Sequence, residues 1–110
     1  MTLAALDQDQ DLARLLDRVV EALSPTAVYL FGSRASGMAR DDSDYDLLVV
    51  VPDETPADRL RPQNVYRLAR DVRVAADIVT CRASGFERCR DAVGTLSYEA
   101  AHFGRLVHGE

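Results

Sequence analysis

The sequence predicts a single α/β (α+β) domain, and three observations carry that expectation. Between Leu12 and Leu23 the apolar residues Leu12, Leu15, Leu16, Val19, Val20 and Leu23 recur at spacings of three and four, the pattern of one helix face. Three short runs rich in strand formers, "AVYLF", "DYDLLVVV" and "VRVAADIVT", are bounded by proline, glycine or polar turns. Helical and strand patterns alternate along the chain, which places helices against a sheet.

The elements follow in order. Asp9 or Asp11 can cap the first helix, and Ser24-Pro25 ends it. Ala27 to Phe31 forms the first strand, between Pro25 and Gly32. Ser33 can start a short helix that Gly37 closes. Residues Asp44 to Val51 form the second strand. Its far end is apolar on both faces, so it belongs inside the sheet. Thr55 as cap, Pro56 in the first turn and Asp58 three residues after the cap open a helix to about Arg70, which Pro62 kinks or splits. Val72 to Thr80 forms the third strand. "GFERCRDAVG" is a short helix ending near Gly94. "TLSYEAAHFG" is another, capped by Thr95 and closed by Gly104, and "RLVH" is a last short strand.

Composition bounds the function. The 110 residues, 47% of them apolar and 28% charged, suit one core and not two. No apolar run approaches the roughly 20 residues of a membrane span. "MTLAALDQDQD" lacks the basic start of a secretory signal, so the cytoplasm is the expected compartment. The net charge of −5 and the lack of a basic stripe argue against a long nucleic acid as partner. All thirteen basic residues are arginine, which excludes a phosphate-loop lysine. Cys81 and Cys89 have no metal-ligand spacing and are expected to be reduced packing residues. His102 and His108 form no ligand set.

The chemistry concentrates in "LFGSRASGMARDDSDYDLLVV". Side chains alternate along a strand, so Asp44 and Asp46 share a face and Tyr45 takes the other. Two carboxylates on one face repel, and a divalent cation removes that cost. Hard Mg²⁺ prefers such oxygens. A carboxylate pair can hold two ions about 3.5–4 Å apart, the arrangement for in-line phosphoryl displacement. Upstream, Gly32 lets a phosphate approach the backbone, and Ser33 stands where a helix start favours an anion. Arg34 and Arg40 are candidates to neutralise further phosphate charge. Asp77 interrupts the apolar "VAADIVT". On a strand beside Asp44 and Asp46 it completes a triad and can accept a hydroxyl proton. Asp41, Asp42 and Asp53 are read as solvated turn residues, and Tyr98 and Glu99 as helix surface and packing. Singly, Gly-Ser or Asp-x-Asp says little; together, at a ten-residue gap and with a later intrastrand Asp, they favour a site.

These residues resemble the nucleotidyltransferase superfamily of the DNA polymerase β type: Gly32-Ser33, ten residues, Asp44-Tyr45-Asp46, then Asp77. The length and context look most like its minimal nucleotidyltransferase group. The resemblance spans essentially the whole chain, residues 1–110, as one domain, with residues 30 to 51 its most specific part. It implies a small mixed sheet with helices mainly on one face. It also implies transfer of AMP from ATP to a hydroxyl, with two Mg²⁺ ions on Asp44, Asp46 and Asp77. Gly32, Ser33, Arg34, Arg40 and Ser43 would bind the nucleotide. Members of the group commonly act as antitoxins that adenylylate a tyrosine of an all-helical HEPN toxin. Many relatives carry a second arginine where this chain has Ser36. The alternatives are an antitoxin that neutralises by binding alone, and a small-molecule (antibiotic) nucleotidyltransferase whose acceptor pocket forms in a homo-oligomer.

Overall fold

The computed structural model describes residues 10–32 and 45–109. Helix α1, Gln10–Leu23, buries Leu12, Leu15, Val19 and Leu23, the periodic face seen in the sequence, and carries Asp11 in its first turn. It ends at Ser24, whose φ of 45° turns the chain into Pro25. Strand β1, Ala27–Phe31, follows. Strand β2, Tyr45–Val51, is buried along nearly its whole length.

The expected helix after β2 divides at Pro62. A 3₁₀ turn, Ala57–Leu60, precedes helix α2, Pro62–Val72, with proline in its first turn. There the missing N–H costs nothing and the fixed φ suits a helix start. Thr55 does not cap: Pro56 takes the cap position without a side-chain bond, while Thr55 is buried and its carbonyl accepts from Arg82 Nη1 at 2.7 Å. Strand β3 spans Ala76–Arg82, later than Val72 to Thr80. Val72 completes α2, Arg73 terminates it in the left-handed region (φ 57°), and Val74 is buried in the core before the strand begins. Helix α3, Ala83–Cys89, stops short of Gly94. Helix α4, Leu96–Phe103, has the expected ends: Thr95 Oγ1 accepts from Tyr98 N at 3.1 Å, and Gly104 closes it. Strand β4, Arg105–Gly109, is last.

The strands lie in the order β3-β2-β1-β4. β1 runs antiparallel to β2 and β4, and β2 runs parallel to β3, so the sheet is mixed. The parallel pair needs a crossover, which the 3₁₀ turn and α2 provide. Strand alternation sends Val28, Leu30, Tyr45, Leu47, Val49 and Val51 to one face, where α1 and α2 cover them in the larger core. Each such side chain contributes about 1.5–3 kcal/mol on full burial. Arg18 on α1 reaches Asp71 on α2 at 3.2 Å and ties that layer together. The opposite face carries Ala27, Leu48 and Val50 under the shorter α3 and α4, with Phe86 and Ala100 as anchors. The two long helices thus lie on one face, and the two short ones cover part of the other.

Cys81 packs against this second core, and both cysteines are free thiols. Burial first, and the nearby Cys89 second, push its thiol from 9.0 up to about 11, against a hydrogen bond with Ser97 that lowers it. The folded chain therefore holds this proton where the unfolded chain has lost it. The Cys81 contribution is intact below pH 9.0 and falls away towards about 11. Urea midpoints measured across that window should decline, and Cys81→Ala should flatten the decline.

Candidate active site

Three neighbouring strands bring the described site residues together. Phe31, at the end of β1, pairs with Asp46 on β2. Asp46 pairs in turn with Asp77 on β3. Gly32 follows Phe31 directly, so Gly32, Asp46 and Asp77 gather at one end of the sheet. Paired positions on adjacent strands share a face, and adjacent strands lie about 4.8 Å apart. Asp46 and Asp77 therefore present their side chains on the face of Leu48 and Val50, at the end of the sheet where β1 finishes and β2 begins. Asp46 is half-buried and Asp77 exposed.

Gly32 explains why no larger residue serves at the end of β1. Its φ is 76°, a conformation that L side chains rarely adopt. A Cβ there would run into the Asp46 carboxylate, with Asp46 Cγ at 3.3 Å. Glycine lets the chain turn while the acid stays against the backbone. The positive φ and the close approach are independent reasons for the same residue.

Asp77 has a different setting from the one its sequence context suggested. β3 is the edge of the sheet, and its burial alternates between half-buried and exposed. An acid there needs no burial to be repaid; it faces solvent beside Asp46. Ser33, Arg34, Arg40, Ser43 and Asp44 lie outside the described residues. Among the described residues no three His, Cys, Asp or Glu side chains form a metal-binding group, because the described part holds two of the three proposed acids. Two carboxylates in register on one face are nonetheless the oxygen donors that a hard divalent cation selects.

The sequence model of the nucleotidyltransferase domain family matches residues 12–99. The chain belongs to that family. The match takes in β1, β2 and β3, and so every described member of the site. None of the curated proteins compared matches the chain. Among solved structures it is similar to one described as the crystal structure of a toxin-antitoxin with AMP-PNP. The identity is 20% and the TM-score 0.62, with 89% of this chain and 73% of that chain covered. That likeness shows the shared fold, a mixed sheet with helical cover.

Around this candidate site the other titratable groups are engaged elsewhere. His102 lies on α4 with Nε2 2.9 Å from Asp91 Oδ1, and Asp53 accepts from Ser84 N at 2.9 Å, fastening the loop after β2 to the start of α3. Each is engaged by a residue other than Asp46 or Asp77. The sequence does not single out Tyr66 and Arg70 on α2 or Arg73 at its C-terminal cap. Tyr66 is 62% exposed, and together with the two arginines it lines a cavity of about 320 Å³ that ends at Ala76, next to Asp77. The spacing of four between Tyr66 and Arg70 on one helix face was the available signal. No membrane-spanning helix occurs among the described residues: none is long and apolar enough.

Proposed function

We propose that this nucleotidyltransferase moves AMP from ATP to a hydroxyl, a tyrosine of a partner HEPN toxin, and so acts as the antitoxin of a toxin–antitoxin pair. The observation that carries the reading is the register of Phe31-Gly32, Asp46 and Asp77 across three adjacent strands. It gathers a phosphate-tolerant turn and two acids at one sheet end. The toxin-antitoxin description of a structure with the same fold supports the choice of partner, and its AMP-PNP the choice of donor.

The residues divide the work. Gly32 and Ser33 offer close backbone approach to the triphosphate, with Ser43 beside it and Arg34 and Arg40 balancing its charge. Asp44, Asp46 and Asp77 would hold Mg²⁺, which when bound supplies charge neutralisation at the phosphates. Asp77, exposed at the edge, takes the proton of the incoming hydroxyl. The acceptor oxygen bonds to the α-phosphorus, the bond from that phosphorus to the bridging oxygen breaks, and pyrophosphate leaves.

The test is incubation with α-labelled ATP and Mg²⁺, with and without a purified HEPN protein encoded beside this chain. Label should appear on that protein and vanish with Asp44→Asn. A tight complex that neutralises the toxin with no label, unchanged by Asp44→Asn, would replace transfer with sequestration.

A further inference from the structure

The outer edge of β3 and the adjacent side of α2 form one continuous groove. A cavity of about 350 Å³ lies along β3 from Ala76 to Thr80 and reaches Tyr66. The Arg70–Arg73 cavity continues it past Ala76. The strand edge on its floor is open among the described residues, because β3 pairs only with β2. Its polar groups have a fixed direction. The Ala75 carbonyl accepts from Tyr45 N at 3.1 Å, so Ala75 and Asp77 turn their backbone groups towards β2. Ala76, Ile78 and Thr80 then turn theirs outward. An exposed edge of this kind is a template for an added strand.

We propose that this groove seats the acceptor as an extended polypeptide segment added to β3, with its hydroxyl residue opposite Asp77 and an acidic residue beside it at the Ala76 end, where Arg70 and Arg73 stand. The inference rests on the transfer reading above and names the acceptor's form. A residue paired with Asp77 puts its side chain on the Asp77 face, with Cβ atoms about 4.5–5.5 Å apart. The neighbours of that residue point to the opposite face, where α2 stands. There Arg70 and Arg73 are exposed, and among the described residues neither has an ion-pair partner. In a chain of net charge −5, two unpaired guanidinium groups beside an open strand edge call for carboxylates from outside. An oligonucleotide would also meet arginine and an exposed tyrosine. It has no backbone amides to pair with Ile78 and Thr80, which an added strand supplies.

The test is an NMR titration of the ¹⁵N-labelled protein with three probes: an acetylated Glu-Glu-Tyr-Glu-Glu peptide, the same peptide N-methylated at alternate residues, and a single-stranded RNA pentamer. The acidic peptide should shift the amides of Ile78 and Thr80 and the Nε–H signals of Arg70 and Arg73. N-methylation at the pairing residues should remove the amide shifts. The double variant Arg70→Glu, Arg73→Glu should weaken peptide binding about tenfold or more and favour a lysine-flanked tyrosine peptide instead. Asp44→Asn should leave peptide binding in place, so a failure of AMP transfer is separable from a failure of the groove. Shifts confined to other parts of the surface, affinity indifferent to the arginine reversal, or tighter binding of the RNA at the same residues would each overturn the proposal.

Discussion

Asp77→Asn should lower AMP transfer by about 10³-fold or more, roughly 4 kcal/mol of transition-state stabilisation, while the variant folds as the parent does. The substitution keeps size and shape and removes one negative charge. Asp77 is exposed on an edge strand, so no buried partner is orphaned by the change. Its neighbour in register is Asp46, and a neutral amide there keeps only one weakly donating oxygen and removes the second negative charge that favours a shared cation. The same variant separates a lost ligand from a lost fold. If Asp46 and Asp77 share a cation, Mg²⁺ binds the folded state and raises its melting temperature by linkage. At about 100 times the dissociation constant the gain is roughly 2.7 kcal/mol, on the order of 10 °C for a domain of this size. Asp77→Asn should melt near the parent without Mg²⁺ and lose most of the Mg²⁺-dependent rise. A full Mg²⁺ shift in the variant, with transfer intact, would remove Asp77 from the site.

The candidate site was legible in the sequence to the extent that it depends on strand alternation and local chain geometry. Gly32 and Asp46 come from one motif, and the structure places the Asp46 carboxylate against Gly32. Strand β1 and helix α4 kept their expected ends because proline, glycine and a threonine cap mark them chemically. The start of β3 was misplaced for a physical reason. Val72 and Val74 have strand-like side chains, yet Val72 finishes α2 and Val74 is buried in the turn that follows. Tertiary packing there overrides local propensity. The role of Thr55 failed likewise: its sequence context matches a helix cap, but its carbonyl is claimed by Arg82 from 27 residues further on. The α2 arginines escaped notice because a helix-surface arginine has the same sequence pattern whether it meets water or a partner. Only the cavity beside Ala76 distinguishes Arg70 and Arg73 from other exposed basic residues.

Leu47→Ala should be the most damaging of the core changes, destabilising the fold by about 2–5 kcal/mol against a total of roughly 5–15 kcal/mol. Leu47 is fully buried. It pairs with Leu30 on one side and Ile78 on the other, so its side chain fills the middle of the larger core beneath α1 and α2. Truncation opens a cavity among neighbours on three strands, which cannot all close in. Urea unfolding should show a much lower midpoint with an unchanged slope, since the surface exposed on unfolding barely changes. Val79→Ala, at a position 41% exposed on the opposite face, should stay within about 0.5 kcal/mol of the parent. The activity of Leu47→Ala per folded molecule tests what the core does for the site. Leu47 follows Asp46 directly, and the pairing of β2 with β1 and β3 sets where the Asp46 backbone stands. Below its melting temperature the variant should transfer AMP at a rate close to the parent's, because the ladder bonds that fix Asp46 do not involve the lost side chain. A deep loss of transfer in a fully folded variant would mean that side-chain packing, and not backbone register, holds the two acids together.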